Sequence, residues 1–218
     1  MTLRFTIYIF LVAASIPFGI YHWKKLRLPI KILVCMLLIV FISESLTRVT
    51  NVYLKTSMPM YHILVAFELL LFPIIYLSSF PATQKYLRVV VGIVSLAGPF
   101  FSIIWSTHSN IMQTFPSGSI LLLSVTIIAC SLFGFVFLLK QPYLPLKENS
   151  FFWFNLGNLV FYTLTFLVFG LANPLAAQHG GMPDWGAEII YYSNLTLYVC
   201  YFLTIYKEAK NHGSFART

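Results

Sequence analysis

Residues 39–76 read IVFISESLTRVTNVYLKTSMPMYHILVAFELLLFPIIY, two apolar runs joined by a short polar turn. With its flanks, each run reaches the roughly 20 residues that a helix needs to cross the hydrocarbon core of a bilayer. Inside them lie Glu44, Arg48, His62 and Glu68, whereas the other apolar runs carry almost no charge. A charge in hydrocarbon is costly and normally faces other helices or a cavity, so the two glutamates mark where a site would sit.

The rest of the chain is of the same kind. Of 218 residues, 59% are hydrophobic and only 9% charged, a balance outside the soluble globular class. The residues 89–139 contain no Asp, Glu, Lys or Arg. That run is too long for one helix, and it divides where His, Ser, Asn, Pro and Gly cluster at 107–118. The pattern predicts an all-α polytopic membrane protein, one transmembrane domain over 1–218, with seven spans near 5–23, 30–50, 60–80, 87–106, 119–139, 151–172 and 187–206. The opening also has the look of a signal peptide, but its apolar run continues through Pro17 to Trp23, which favours a first span. A β-barrel is excluded, because the runs are continuous and do not alternate with period two. Residues 173–186, rich in Gly, Pro and Ala, read as a loop, and 207–218 as a polar, frayed tail.

The net charge of +8 does not indicate nucleic acid, because the basic residues sit between spans and not on one patch. Of the fourteen Lys and Arg, eleven fall on one side of the seven-span layout and three, Arg4, Arg48 and Lys55, on the other. Basic loops stay in the cytoplasm. This predicts an inner (plasma) membrane protein with its N-terminus outside and its C-terminus cytoplasmic. Cys35, Cys130 and Cys200 fall singly in separate runs and read as packing residues.

At a rise of ~1.5 Å per residue, Glu44, Glu68 and Asn194 share one layer below the outer boundary, with Tyr61, His62 and Tyr191 above them. If spans two, three and seven adjoin, Glu44, Glu68, Arg48, Asn194, Tyr191, Tyr61 and His62 converge on an outward-facing ligand pocket. Each has a structural reading too. Glu44 and Arg48 are four apart and can pair on one helix face. Glu68 has no cation three or four residues away, so its partner comes from another helix, from water or from a proton. His62 and Glu68 are six apart, on opposite faces of a helix, which argues against a shared metal. Asn155, Asn158 and Tyr162 form a second polar stripe that either binds neighbouring helices or continues a route inward with Tyr198 and Tyr201. No catalytic residue, metal ligand or cofactor is indicated. Laying 67–72 over 193–198 aligns Glu68 with Asn194, the mark of a three-plus-one-plus-three repeat.

Tyr61-His62 followed by Phe67-Glu68, and the aromatic run Phe152-Trp153-Phe154-Asn155, resemble those of short, uncharacterised seven-span bacterial membrane proteins. That resemblance implies the span count and no activity. Retinal proteins are argued against by the lack of a mid-helix lysine in span seven, where Lys207 lies at the boundary. Sugar transporters of the SWEET type are argued against by the missing Pro-Gln pair, and membrane hydrolases of the alkaline ceramidase group by the lack of intramembrane Asp. The function that follows is a small-solute carrier or a small-ligand sensor. The alternatives are a membrane-embedded lipid-modifying enzyme, resting on Glu44, Glu68 and His62, or a structural subunit of a membrane complex. The partners are the lipid bilayer, a small-molecule ligand or proton, and a membrane or cytoplasmic protein, with no nucleic acid.

Overall fold

The computed structural model describes residues 3–80, 85–108, 115–140, 145–179 and 184–211. These form seven α-helices: α1 Leu3–Tyr21, α2 Leu28–Tyr53, α3 Met58–Ser79, α4 Lys85–His108, α5 Ser117–Leu139, α6 Ser150–His179 and α7 Asp184–Lys210. Short 3-10 turns at Trp23–Lys25 and Leu146–Glu148 precede α2 and α6. Six helices, α2 to α7, contain stretches long and apolar enough to cross a membrane; Thr6–Tyr21 of α1 is apolar but shorter. The chain is therefore all-helical over its described residues and built as a multi-pass membrane protein is built.

Local chemistry sets the boundaries. Pro29 and Pro59 lie in the first turns of α2 and α3, where the missing N–H would have had no intrahelical partner. Asn149 precedes α6, and its Oδ1 accepts from the Phe151 amide at 2.9 Å, satisfying one of the free N–H groups of a helix start. α2 ends at Tyr53 with Leu54 as its C-cap, followed by Lys55 at φ 54°, a left-handed residue of the kind that terminates helices.

Two expectations are corrected here. The loop assigned to 173–186 is largely helical: α6 continues to His179 and α7 begins at Asp184, so Asn173 and Pro174 do not end the helix. The tail assigned to 207–218 is not frayed at its start. α7 runs to Lys210, and Glu208 is 6% exposed. Residues 212–218 lie outside the described residues, as do 109–114 within the polar break at 107–118.

Neighbours in the chain are neighbours in space, and α1 packs against α7 as well as α2, closing the helices into a ring. α3 also packs on α5, and Phe72 and Tyr76 carry it across to Phe151, Phe154 and Tyr162 of α6. α3 is thus the central helix. α4, which packs on α3 and α5, is peripheral and presents Val89, Ile93, Leu96 and Phe100 outward.

In lipid there is no hydrophobic drive between helices, so close approach and internal hydrogen bonds must hold a bundle together. Both are visible. A Cβ at Gly134 of α5 would lie 2.5 Å from Asn155 Oδ1 of α6, and one at Gly157 would lie 2.7 Å from Cys200 Cβ of α7. The buried faces between these contacts carry Leu69, Phe72, Phe154 and Tyr201, each at most 1% exposed.

Candidate functional site

One end of the bundle, called here the Lys55 end, opens into a polar cavity of about 420 Å³. α2 supplies Glu44, Thr47, Arg48 and Asn51, and α7 supplies Ala187, Ile190, Tyr191 and Asn194. Both sets follow the spacing of one helix face, at steps of three, four and seven. Tyr8 of α1, with Ser57 and Tyr61 at the start of α3, completes the wall. The cavity therefore gathers Glu44, Arg48, Tyr61, Tyr191 and Asn194.

Within it, the Tyr8 hydroxyl is in hydrogen-bonding reach of the Glu44 carboxylate, and Arg48 lies within electrostatic range of both Glu44 and Tyr61. Asn194 donates its Nδ2 to the Ile190 carbonyl at 3.0 Å, which leaves its carbonyl oxygen as an acceptor. Tyr8 had not been singled out in the sequence. As one tyrosine among thirteen it gives no local sign of being the partner of a carboxylate 36 positions later.

Glu68 lies outside this lining, deeper in the bundle. It is within electrostatic range of Glu44, and the Tyr162 hydroxyl is in hydrogen-bonding reach of it. The last residue of the α6 polar stripe thus stands beside it, whereas Asn194 bonds its own helix and lines the cavity. Tyr198 stands in electrostatic range of both carboxylates and stacks on Tyr8, with ring centroids 5.7 Å apart.

The α6 stripe continues inward. Asn158, fully buried, accepts from the Tyr201 hydroxyl at 2.6 Å and donates to the Tyr76 hydroxyl at 3.2 Å. Tyr76 in turn shares a 2.7 Å bond with Ser131. Four helices, α3, α5, α6 and α7, meet in this network. Asn155, also fully buried, donates to its own helix at Phe151 O, and its Oδ1 has no hydrogen-bond partner.

His62 is placed elsewhere. It is 5% exposed and lines a second cavity on the opposite side of α3, with its Nδ1 2.6 Å from Ser106 Oγ of α4. Six residues separate it from Glu68, which turns the two side chains to different faces. Among the described residues no three of His, Cys, Asp and Glu come together as a metal site requires.

At the opposite end, called the Arg27 end, ion pairs tie the helix ends together beside a cavity of about 260 Å³ that Arg27, Ser79 and Ser150 help to line. Arg27, just before α2, donates through Nε and Nη2 to the two oxygens of Glu208 near the end of α7, the second bond measuring 2.7 Å. Ser150, at the start of α6, donates to the same carboxylate at 2.7 Å. Beside it Lys207 reaches Glu148 at 2.8 Å, and that hydrogen bond holds the Glu148 carboxyl below the usual carboxylate range. None of these pairs was visible in the sequence, since they link residues 58 to 181 positions apart. Comparison with family models, with curated proteins and with solved structures finds no match.

Proposed function

We propose that this chain is a seven-helix carrier of the inner membrane, with α1 as its first span, the Lys55 end outside and the Arg27 end cytoplasmic. The orientation follows from the basic residues, which crowd the Arg27 end. The observation that carries the functional reading is the Lys55-end cavity, in which Glu44, Arg48, Tyr61, Tyr191 and Asn194 face one volume while Glu68 waits a step deeper. An acid and a guanidinium beside hydroxyl and amide groups suit a small solute with both donor and acceptor groups, a zwitterion above all. The Glu68–Tyr162 pair and the Tyr201–Asn158–Tyr76 network supply a polar path toward the far end. The Arg27–Glu208–Ser150 cluster ties the helix ends together beyond that path, in the place that the inner barrier of an outward-open carrier would take.

A sensor would use the same cavity but requires a partner to receive its signal. A lipid-modifying enzyme would need a nucleophile or metal set, and the separation of His62 from the two glutamates takes away the group that such a site would use.

The test is thermal stabilisation of the purified protein across panels of zwitterionic, cationic and neutral polar solutes, then flux of the hits in proteoliposomes. A solute at 100 times its Kd should stabilise by about 2.7 kcal/mol. Uptake that is lost in Glu44→Gln and Glu68→Gln, with folding retained, supports the carrier. Binding without flux moves the assignment to a sensor, and lipid turnover moves it to an enzyme.

A further inference from the structure

The second cavity, about 500 Å³, lies between α3 and α4, within the range of about 300 to 1,000 Å³ typical of ligand pockets. It shares no lining residue with the polar pocket. Its rim is Ile63, Phe67, Leu70 and Ile103, all exposed apolar side chains. On a helix pair that crosses a bilayer, such a rim opens sideways into acyl chains and not into water.

The back wall is polar. Ser106 gives its single proton to the Ser102 carbonyl at 2.7 Å, so the 2.6 Å contact with His62 requires His62 Nδ1–H as donor. Ser102 itself is fully buried, lines the cavity, and its hydroxyl has no hydrogen-bond partner. A buried hydroxyl without a partner carries a desolvation cost of about 1–3 kcal/mol. A polar acceptor carried in on an apolar chain would serve it.

Depth narrows the choice. Ser106 bonds His62, four residues from the start of α3, and Ser102 lies one turn further in, about 6 Å deeper at 1.5 Å per residue. That is the level at which the ester groups of a bilayer lipid lie, just under the headgroups.

We propose that the α3–α4 cavity is a lateral lipid site, in which one acyl chain of a membrane phospholipid lies along Ile63, Phe67 and Leu70 while its ester carbonyl accepts the Ser102 hydroxyl. Alanine at position 66 and serine at 102 keep the space open. On the same helix pair Gly98 packs against Leu69, where an added Cβ would lie 3.2 Å from the leucine side chain. The site is independent of the solute pocket and stands or falls without it.

The experiment reconstitutes the full chain with phosphatidylcholine bearing a diazirine in one acyl chain, irradiates it, and maps adducts by mass spectrometry. Adducts should concentrate on residues 59–70 and 99–107. Ser102→Ala, which removes the hydroxyl and adds no bulk, should lower that labelling at least threefold with the ester lipid but not with the ether-linked analogue. Ala66→Phe, which fills the cavity, should lower it at least fivefold with both. Adducts spread evenly over α2, α4, α5 and α6, or labelling indifferent to Ser102→Ala in a folded protein, would overturn the site. If Ala66→Phe fails to fold, the ester-to-ether contrast in Ser102→Ala decides alone.

Discussion

Arg27 and Glu208 stand 181 positions apart and form a two-pronged ion pair between the start of α2 and the end of α7, with Glu208 6% exposed and Arg27 31% exposed. Because a bidentate guanidinium–carboxylate pair fixes direction as well as distance, it holds two helix ends in one register. Removing one partner leaves the other charge in a poorly solvated place. Glu208→Ala should therefore destabilise the detergent-solubilised protein by about 1–3 kcal/mol, below the 3–5 kcal/mol of a fully buried pair because Arg27 is partly solvated. Arg27→Met with Glu208→Leu should recover most of that loss. A double-mutant cycle on thermal unfolding checks it, and strictly additive losses would show that the pair does not act as a unit.

Gly134→Ala should be poorly tolerated. Its Cβ would meet the Asn155 amide at 2.5 to 2.8 Å, and Asn155, fully buried, has nowhere to withdraw. Overpacking of this kind costs about 1–3 kcal/mol. Combining it with Asn155→Ala should restore stability, since the clash disappears together with an amide oxygen that has no partner. Equal melting temperatures for Gly134→Ala and the parent would contradict the close approach of α5 and α6.

Tyr76→Phe deletes one hydroxyl that bonds both Ser131 and Asn158. Two buried groups lose a partner at once, so the expected loss is about 1–3 kcal/mol. Ser131→Ala should cost less, because Tyr76 keeps Asn158. Unfolding of the two variants side by side gives the order.

Glu148 lends itself to a pH test. Its hydrogen bond from Lys207 lowers its pKa from 4.5, so the folded state holds the proton less tightly than the unfolded state. The stabilisation is then complete above the unfolded value and disappears as pH falls through the lowered folded value. In Lys207→Met the carboxyl should titrate closer to 4.5, which carbon NMR of labelled glutamate would follow. Glu148 titrating at the same pH in both proteins would contradict the pairing.

What the sequence made legible was set by the solvent in which the chain folds. Apolar runs and their polar breaks marked the helices, because in lipid a backbone must satisfy itself. The few charges within those runs, Glu44, Arg48 and Glu68, stood out against that background, and they are the groups around which the polar cavity and its inner neighbour lie. Partners were not legible. Tyr8, Tyr162 and Tyr198 become Glu44's and Glu68's surroundings through the ring closure of α1 on α7 and the crossing of α3 to α6, which no local pattern encodes. The chain end misled for a related reason: Lys207 and Lys210 made Glu208 look solvated, and only the return of α7 to α2 buries it. Residues 173–179, with Asn, Pro and Ala, carry loop composition, yet the helix that precedes them continues.

Tyr61 and His62 are consecutive residues of α3, yet one belongs to the polar cavity and the other to the lateral one. α3 is accordingly a partition wall with a wet side and an oily side. A substitution on one face of this helix therefore alters the lining of one chamber and leaves that of the other intact.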